Sequence, residues 1–247
     1  IIHNTNPLVA IYLFGLLQPM GQAKLNSLFL LSVSSRKDDE LIPFFLENGA
    51  SRSATIGIDI YPDYDDDEEL DDAPSPLWMV VQNALVLAIY ENPYPIHMVK
   101  LLLKEHVDPN FVDEEGNAVI LHALDDIELV SMLVDSGANL DWCDPLGKTP
   151  LMLACEGENS EVALYLIEHD VHINRLSGEM KSALHYALMC HLMSNYEVVS
   201  SLIAHGADIE MVDGEGRTPL EIAKIHYAHR EVITLLEKVL KEKRAIS

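Results

Sequence analysis

The stretch Asp144-Pro145-Leu146-Gly147-Lys148-Thr149-Pro150-Leu151-Met152-Leu153-Ala154 decides the reading of this chain. Thr-Pro opens a helix: Thr as N-cap accepts a bond from an orphan N–H, and Pro at the first helical position lacks the N–H that would otherwise go unpaired. The phrase returns as Asp213-Gly-Glu-Gly216-Arg-Thr218-Pro219-Leu220-Glu-Ile-Ala223. It returns more loosely from Ser177 to Ala187, which contains Ser182-Ala183-Leu184-His185, and from Asp113 to Ala123.

A second phrase accompanies the first. It reads Leu129-Val-Ser-Met-Leu-Val-Asp-Ser-Gly137-Ala138-Asn139, with versions over Glu40 to Ala50, Met98 to Asp108, Val162 to His172 and Val198 to Asp208. Apolar groups such as Leu151, Ala154, Val162, Leu166 and Ile167 fall at helical spacing on two short helices. Gly49, Gly137 and Gly206 stand just past the second helix, where a left-handed cap is wanted. Gly116, Gly147 and Gly216 fall in the turn that returns the chain to the next unit. Matching positions Ile120, Leu151, Leu184 and Leu220 lie 31, 33 and 36 residues apart.

This period and these two phrases resemble the ankyrin repeat. The resemblance implies an all-α solenoid of stacked helix-turn-helix units with hairpin-like loops, in which no unit buries its apolar face alone. Units are expected at about 24–53, 75–112, 113–143, 144–176, 177–212 and 213–247. The last ends in a basic helix suited to a terminal cap. Residues 1–23 read as a degenerate unit or as the end of an upstream domain. Where the pattern is broken, His106 and Asp170 replace the cap glycine and Met180 replaces the turn glycine, so those units should be locally less ideal. Two insertions stand out: an acidic stretch over 54–74, and a doubled first helix from Ser75 to Tyr90.

The composition fits. The 247 residues are 49% apolar and 23% charged, enough for a sizeable core. Cys143, Cys155 and Cys190 are an odd number without CxxC spacing, which argues against a disulfide framework or zinc site and for a reducing compartment, cytoplasmic or, for a secreted effector, the host cytosol. The apolar run from Pro7 to Leu17 is too short to span a bilayer and lacks the basic flank of a signal peptide. The first residue is Ile, so an internal fragment or processed product is expected.

The net charge is −24 and unevenly spread: residues 54–76 carry nine acids and no base. Such a surface repels phosphate backbones and anionic lipid and attracts cationic partners. Nucleic acid and direct membrane insertion are therefore not expected; oligomeric state stays open.

The sequence holds three kinds of candidate site. Asp63-Tyr-Asp65-Asp-Asp67-Glu-Glu69 places oxygens as a calcium loop does at its first, third and fifth positions. The sixth position, however, is Glu68 rather than Gly, and the twelfth is Pro74 rather than a bidentate Glu. The eleven histidines form no metal motif, and there is no nucleophile elbow or phosphate loop, so no metal, cofactor or catalytic residue is assigned.

The loop tips are the third kind. In the family, partners meet tips and inner helices lining a concave face. Here the tip positions are Phe111, Val112, Glu114 and Glu115; Trp142, Cys143, Pro145 and Leu146; Arg175, Leu176 and Glu179; Met211, Val212 and Glu215. They read as an apolar stripe rimmed by carboxylates, with local packing of Phe111 and Trp142 under the loops as the competing reading. The expected function is a non-catalytic scaffold for a protein partner with a basic surface or segment. The alternatives are a substrate-recruiting module of a larger enzyme or secreted effector, or the tail of a membrane receptor or channel.

Overall fold

The computed structural model describes residues 26, 29–30, 32–33, 41–47, 49–52, 55–59, 79–92, 94–157, 159–169, 171–190, 195–226 and 230–246. Residues 1–23, the calcium-like segment from Asp63 to Pro74, and Asp170 lie outside them. The chain divides into two compact units, residues 1–115 and 116–247.

In the first unit, helical residues Phe29, Leu30 and Val33 are buried, as are Ile42, Phe45 and Leu46 of helix α1 (Leu41–Glu47). Strands β1 (Thr55–Asp59) and β2 (Met79–Asn83) then form an antiparallel pair, Thr55 opposite Asn83 and Asp59 opposite Met79. Helices α2 (Ala84–Tyr90) and α3 (Pro95–Lys104) follow.

The doubled first helix over 75–90 is corrected here. Its part from Met79 to Asn83 is strand, and the helix begins at Ala84 with an ordinary length of 7 residues. The boundary is set by Asn83, which is extended (ψ 177°) and whose side chain accepts the Val86 N–H at 3.0 Å. Asn is among the strongest helix N-caps, and β-branched Val80 and Val81 favour the strand before it. Residues Thr55–Asp59 of the acidic stretch are thus strand, and its remaining acids from Asp63 to Asp72 lie outside the described residues.

The second unit is a succession of helix pairs: α4 (Val119–His122) with α5 (Ile127–Asp135), α6 (Pro150–Glu156) with α7 (Ser160–Ile167), α8 (Ala183–Met189) with α9 (Asn195–Ala204), and α10 (Pro219–Ile225) with α11 (Arg230–Ile246). Thr149 and Thr218 cap α6 and α10 by accepting the Met152 and Glu221 N–H groups, each followed by Pro in the first turn. Where Ser182 stands in the Thr position without a following Pro, His185 compensates: its Nδ1 accepts the Ser182 N–H at 3.1 Å. Leu151, Leu166, Leu184, Leu188 and Leu202 are at most 2% exposed and form the core between pairs.

Helices α5 and α9 close in the same way. The N–H three residues past the helix reaches back, Ala138 to the Leu133 carbonyl and Ala207 to that of Leu202, both at 2.9 Å, around Gly137 and Gly206 at φ 88° and 90°. In the first unit His106 takes the same role at φ 61°, with Val107 N–H bonded to the Leu102 carbonyl. Met180 likewise adopts φ 58° where its counterparts Gly147 and Gly216 have 75° and 77°. The repeat geometry imposes left-handed backbone on both residues, a conformation costing an ordinary side chain roughly 1–2 kcal/mol.

Candidate functional site

Each loop tip of the second unit is built by one short polar side chain. Asp144 Oδ1 accepts the N–H groups of Leu146 and Lys148 at 2.9 and 2.7 Å; Asp213 Oδ1 accepts those of Glu215 and Arg217, both at 2.9 Å. Ser177 Oγ does the same for Glu179 and Lys181 at 3.3 Å. In each tip the backbone closes a narrow hairpin, as with Asp144 N–H to the Lys148 carbonyl at 3.0 Å. Asp144 and Asp213 are therefore spent on turn geometry. Burial opposes ionisation of Asp213, yet its bonds from the Arg217 side chain and from the Arg217 and Glu215 backbone N–H groups hold its carboxyl below the ordinary range.

Neighbouring tips are joined through the backbone. Gly178 N–H donates to the Leu146 carbonyl at 2.8 Å and Gly214 N–H to that of Glu179 at 3.1 Å. Pro145 occupies the equivalent position of its tip and has no N–H to give. There the Trp142 indole Nε1–H donates to the Gly116 carbonyl at 3.1 Å, and the Pro145 ring faces Gly116. Trp142 is half-buried and its one polar group is committed within the chain.

Exposure along this edge differs from a simple stripe. Trp142, Cys143, Leu176 and Met211 are half-buried, whereas Leu146 is 63% exposed and Val212 47%. Met180, 50% exposed, joins them. The sequence reading gave it no role in binding, although a large apolar residue at a turn position that favours glycine was the available signal. Pro145 and Arg175 are exposed, Arg175 donating to the Asp141 carbonyl at 3.0 Å. Phe111 and Val112, half-buried, and Glu114 and Glu115, exposed, belong to the first unit.

The rim acids of the second unit are paired within the chain. Glu179 meets Lys181 at 2.6 Å and Glu215 meets Arg217 at 2.7 Å, while Arg217 also holds Asp213 at 2.7 Å. The hydrogen bond and charge of Lys181 hold the Glu179 carboxyl below its usual range. Lys148 pairs with Glu156 at 2.6 Å and lies 5.0 Å from the centre of the Tyr186 ring, with Lys181 at 5.9 Å. Lys148, Lys181 and Arg217 each immediately precede a helix cap, so one register position of three successive repeats supplies a cation. Reading the acids alone from the sequence missed these partners, although Lys148, Lys181 and Arg217 recur at a fixed place in the phrase.

Other candidate chemistry is sparse. Among the described residues no group of three or more His, Cys, Asp or Glu side chains could hold a metal ion, and no helix is long and apolar enough to cross a membrane. Cys155 is buried, which pushes its thiol up to about 12, so it is not a nucleophile at neutral pH. Asp141 holds the ring of exposed His172 through Nδ1 at 2.5 Å, beside a shallow groove of about 530 Å³ lined by His172, Ile173, Asn174 and Arg175.

Helix pairs at this period, with glycine-type caps and hairpin tips, define a class of repeat proteins. Residues 85–177 match the family model described as ankyrin repeats (3 copies), and residues 184–237 that described as ankyrin repeats (many copies); the chain belongs to the ankyrin repeat family. It is similar to the E3 ubiquitin-protein ligase XBAT35 as named in Arabidopsis thaliana, at 34% identity over 45% of this chain and 24% of that protein. It is also similar to ankyrin repeat protein FPV031 of fowlpox virus, at 28% identity over 65% of this chain and 49% of the other. A third relative, named as the palmitoyltransferase ZDHHC13 of Danio rerio, is 28% identical over 60% of this chain and 23% of its own length. The chain thus spans between about a quarter and a half of these relatives.

Proposed function

We propose that this chain is a non-catalytic interaction module holding a partner protein that carries a basic segment, a reading supported by the general role of ankyrin repeats in protein–protein interaction. The proposed contact residues on the tips and first-helix side are, taking each unit by itself, Phe111, Val112, Glu114 and Glu115 in the first and Trp142, Pro145, Leu146, Leu176, Glu179, Met211, Val212 and Glu215 in the second. The observation that carries the proposal is the tip edge: consecutive tips tied by backbone bonds present exposed Leu146 and Val212, a preformed surface that loses little entropy on binding. The basic character of the partner rests on the net charge of −24, nine of whose acids fall within residues 54–76.

The same reading takes residues 24–247 as the repeat domain and a reducing intracellular compartment as its setting. A second reading, a substrate-recruiting module of a larger enzyme or a secreted effector, is supported by relatives named as a ligase and a palmitoyltransferase of which this chain covers about a quarter.

The test uses surface plasmon resonance with a partner captured by the intact chain and purified. Changing Glu114 and Glu115 to Lys should slow association several-fold with stability intact, because rim charges act on encounter. Leu146→Asp should speed dissociation. If both variants bind like the parent while substitutions on the second helices abolish binding, the proposed surface is wrong.

A further inference from the structure

We infer that the tip edge of the second unit recognises an uncharged, apolar-rich segment of its partner, and that the partner's basic residues are read elsewhere on this chain. The inference deepens the proposed function and rests on its placement of the binding surface.

Three observations converge. Leu146, Met180 and Val212, three of the seven exposed large apolar residues among the described residues, all stand at or beside the tips of successive repeats, at 63%, 50% and 47%. Five carboxylates on this edge of the second unit have partners within the chain. Asp144 and Asp213 hold turns, Glu179 and Glu215 are paired with Lys181 and Arg217, and Glu156 with Lys148. A partner lysine arriving here would meet Glu179 and Glu215 already in contact with Lys181 and Arg217, each two residues away along the chain, and would have to share the carboxylate with that cation. An acidic segment fares no better, since the cations are equally committed and the molecule as a whole is strongly negative.

What the edge offers without rearrangement is apolar area on a rigid frame. The backbone bonds from Gly178 to Leu146 and from Gly214 to Glu179 fix that frame. Burying such side chains stabilises a complex by about 25 cal/mol per Å² of apolar area removed from water. A second copy of the chain is the other apolar occupant, but like charge opposes self-association.

The experiment pans a random 16-residue phage-displayed peptide library on the intact chain, then measures selected synthetic peptides by fluorescence anisotropy. The expected peptides are rich in apolar residues and poor in Lys and Arg. Their affinity should change less than twofold between 50 and 500 mM NaCl and less than twofold in the Glu179→Gln/Glu215→Gln variant. It should fall at least tenfold in Leu146→Asp/Met180→Asp. Peptides enriched in Lys and Arg, losing affinity in salt and in the Gln variant, would overturn the inference while leaving the binding surface in place. Peptides unaffected by Leu146→Asp/Met180→Asp would overturn the surface itself. Sedimentation showing a dimer that Leu146→Asp/Met180→Asp dissociates would assign the edge to a second copy and overturn the inference as well.

Discussion

Replacing Gly178 by Ala tests the backbone tie between tips on which the edge depends. A Cβ built on Gly178 lies 2.9 Å from the Leu146 carbonyl oxygen, a distance that side chains essentially never adopt, and the obstructing atom is backbone. The oxygen is the one that accepts the Gly178 N–H at 2.8 Å, so relieving the contact breaks the bond. The lost bond is worth about 1 kcal/mol, and forcing the two tips apart adds about 1–3 kcal/mol on the scale of overpacking. Against this, Ala stiffens the unfolded chain and returns about 0.4–1 kcal/mol. The net expectation is destabilisation of about 1–3 kcal/mol, read by urea denaturation followed by circular dichroism, with loss of hydrogen-exchange protection at the residue 178 amide. Gly206→Ala serves as the contrast: no atom lies within 4 Å of its Cβ, but its φ of 90° imposes a left-handed backbone, so it should lose stability without altering exchange at the tips. A Gly178→Ala protein as stable as the parent, with residue 178 still protected, would refute the view that the tips are locked together.

Leu184→Ala and Leu151→Ala, at 0% and 2% exposure, should each cost about 2–5 kcal/mol in the same denaturation assay through lost burial and the cavity left behind; changes below about 0.5 kcal/mol at both would contradict stacked core sites. Burial lowers the His185 pKa from 6.5, so the unfolded chain binds the extra proton first; stability should be full above about pH 6.5 and decline as pH falls below it, a slope that His185→Gln should flatten in melts taken between pH 7.5 and 5. Cys155, its thiol raised to about 12, should resist iodoacetamide in the native protein at pH 7.5 while Cys143 labels, as mass spectrometry of tryptic peptides will report; equal rates would mean the core around α6 opens readily.

Sequence gave access to the repeats because their determinants are local. Thr149-Pro150 and Thr218-Pro219 announce helix starts by themselves, and Gly137 and Gly206 announce stops. Even the substitutions were readable: His106 and Met180 stand where the period calls for glycine, and both adopt positive φ. The region around Met79 was not readable in this way. Its apolar run satisfies helical and extended spacing alike, and only the Asn83 cap and the pairing with Thr55–Asp59 decide between them; that pairing crosses an intervening segment of unlike composition. The binding edge was half legible. Tip positions follow from the period, but whether Glu179 and Glu215 face a partner or their own Lys181 and Arg217 depends on how tightly the hairpin turns, and the bond from Trp142 to Gly116 of the preceding loop depends on how the two tips pack.

These pairings bear on what a net charge of −24 does for binding. Charge draws a cationic partner from a distance set by the Debye length, about 8 Å at physiological salt, and it acts mainly on the rate of encounter. Contact energy is decided at shorter range, where Lys148, Lys181 and Arg217 have already answered the carboxylates beside them. A chain can therefore be strongly acidic and still present an edge whose carboxylates are partly offset by its own cations. On such an edge salt should slow association without hastening dissociation, whereas a partner held by direct Lys–Glu contacts would lose both together. The separation of the two rate constants with salt is thus the signature that distinguishes attraction by the whole molecule from recognition by its tips.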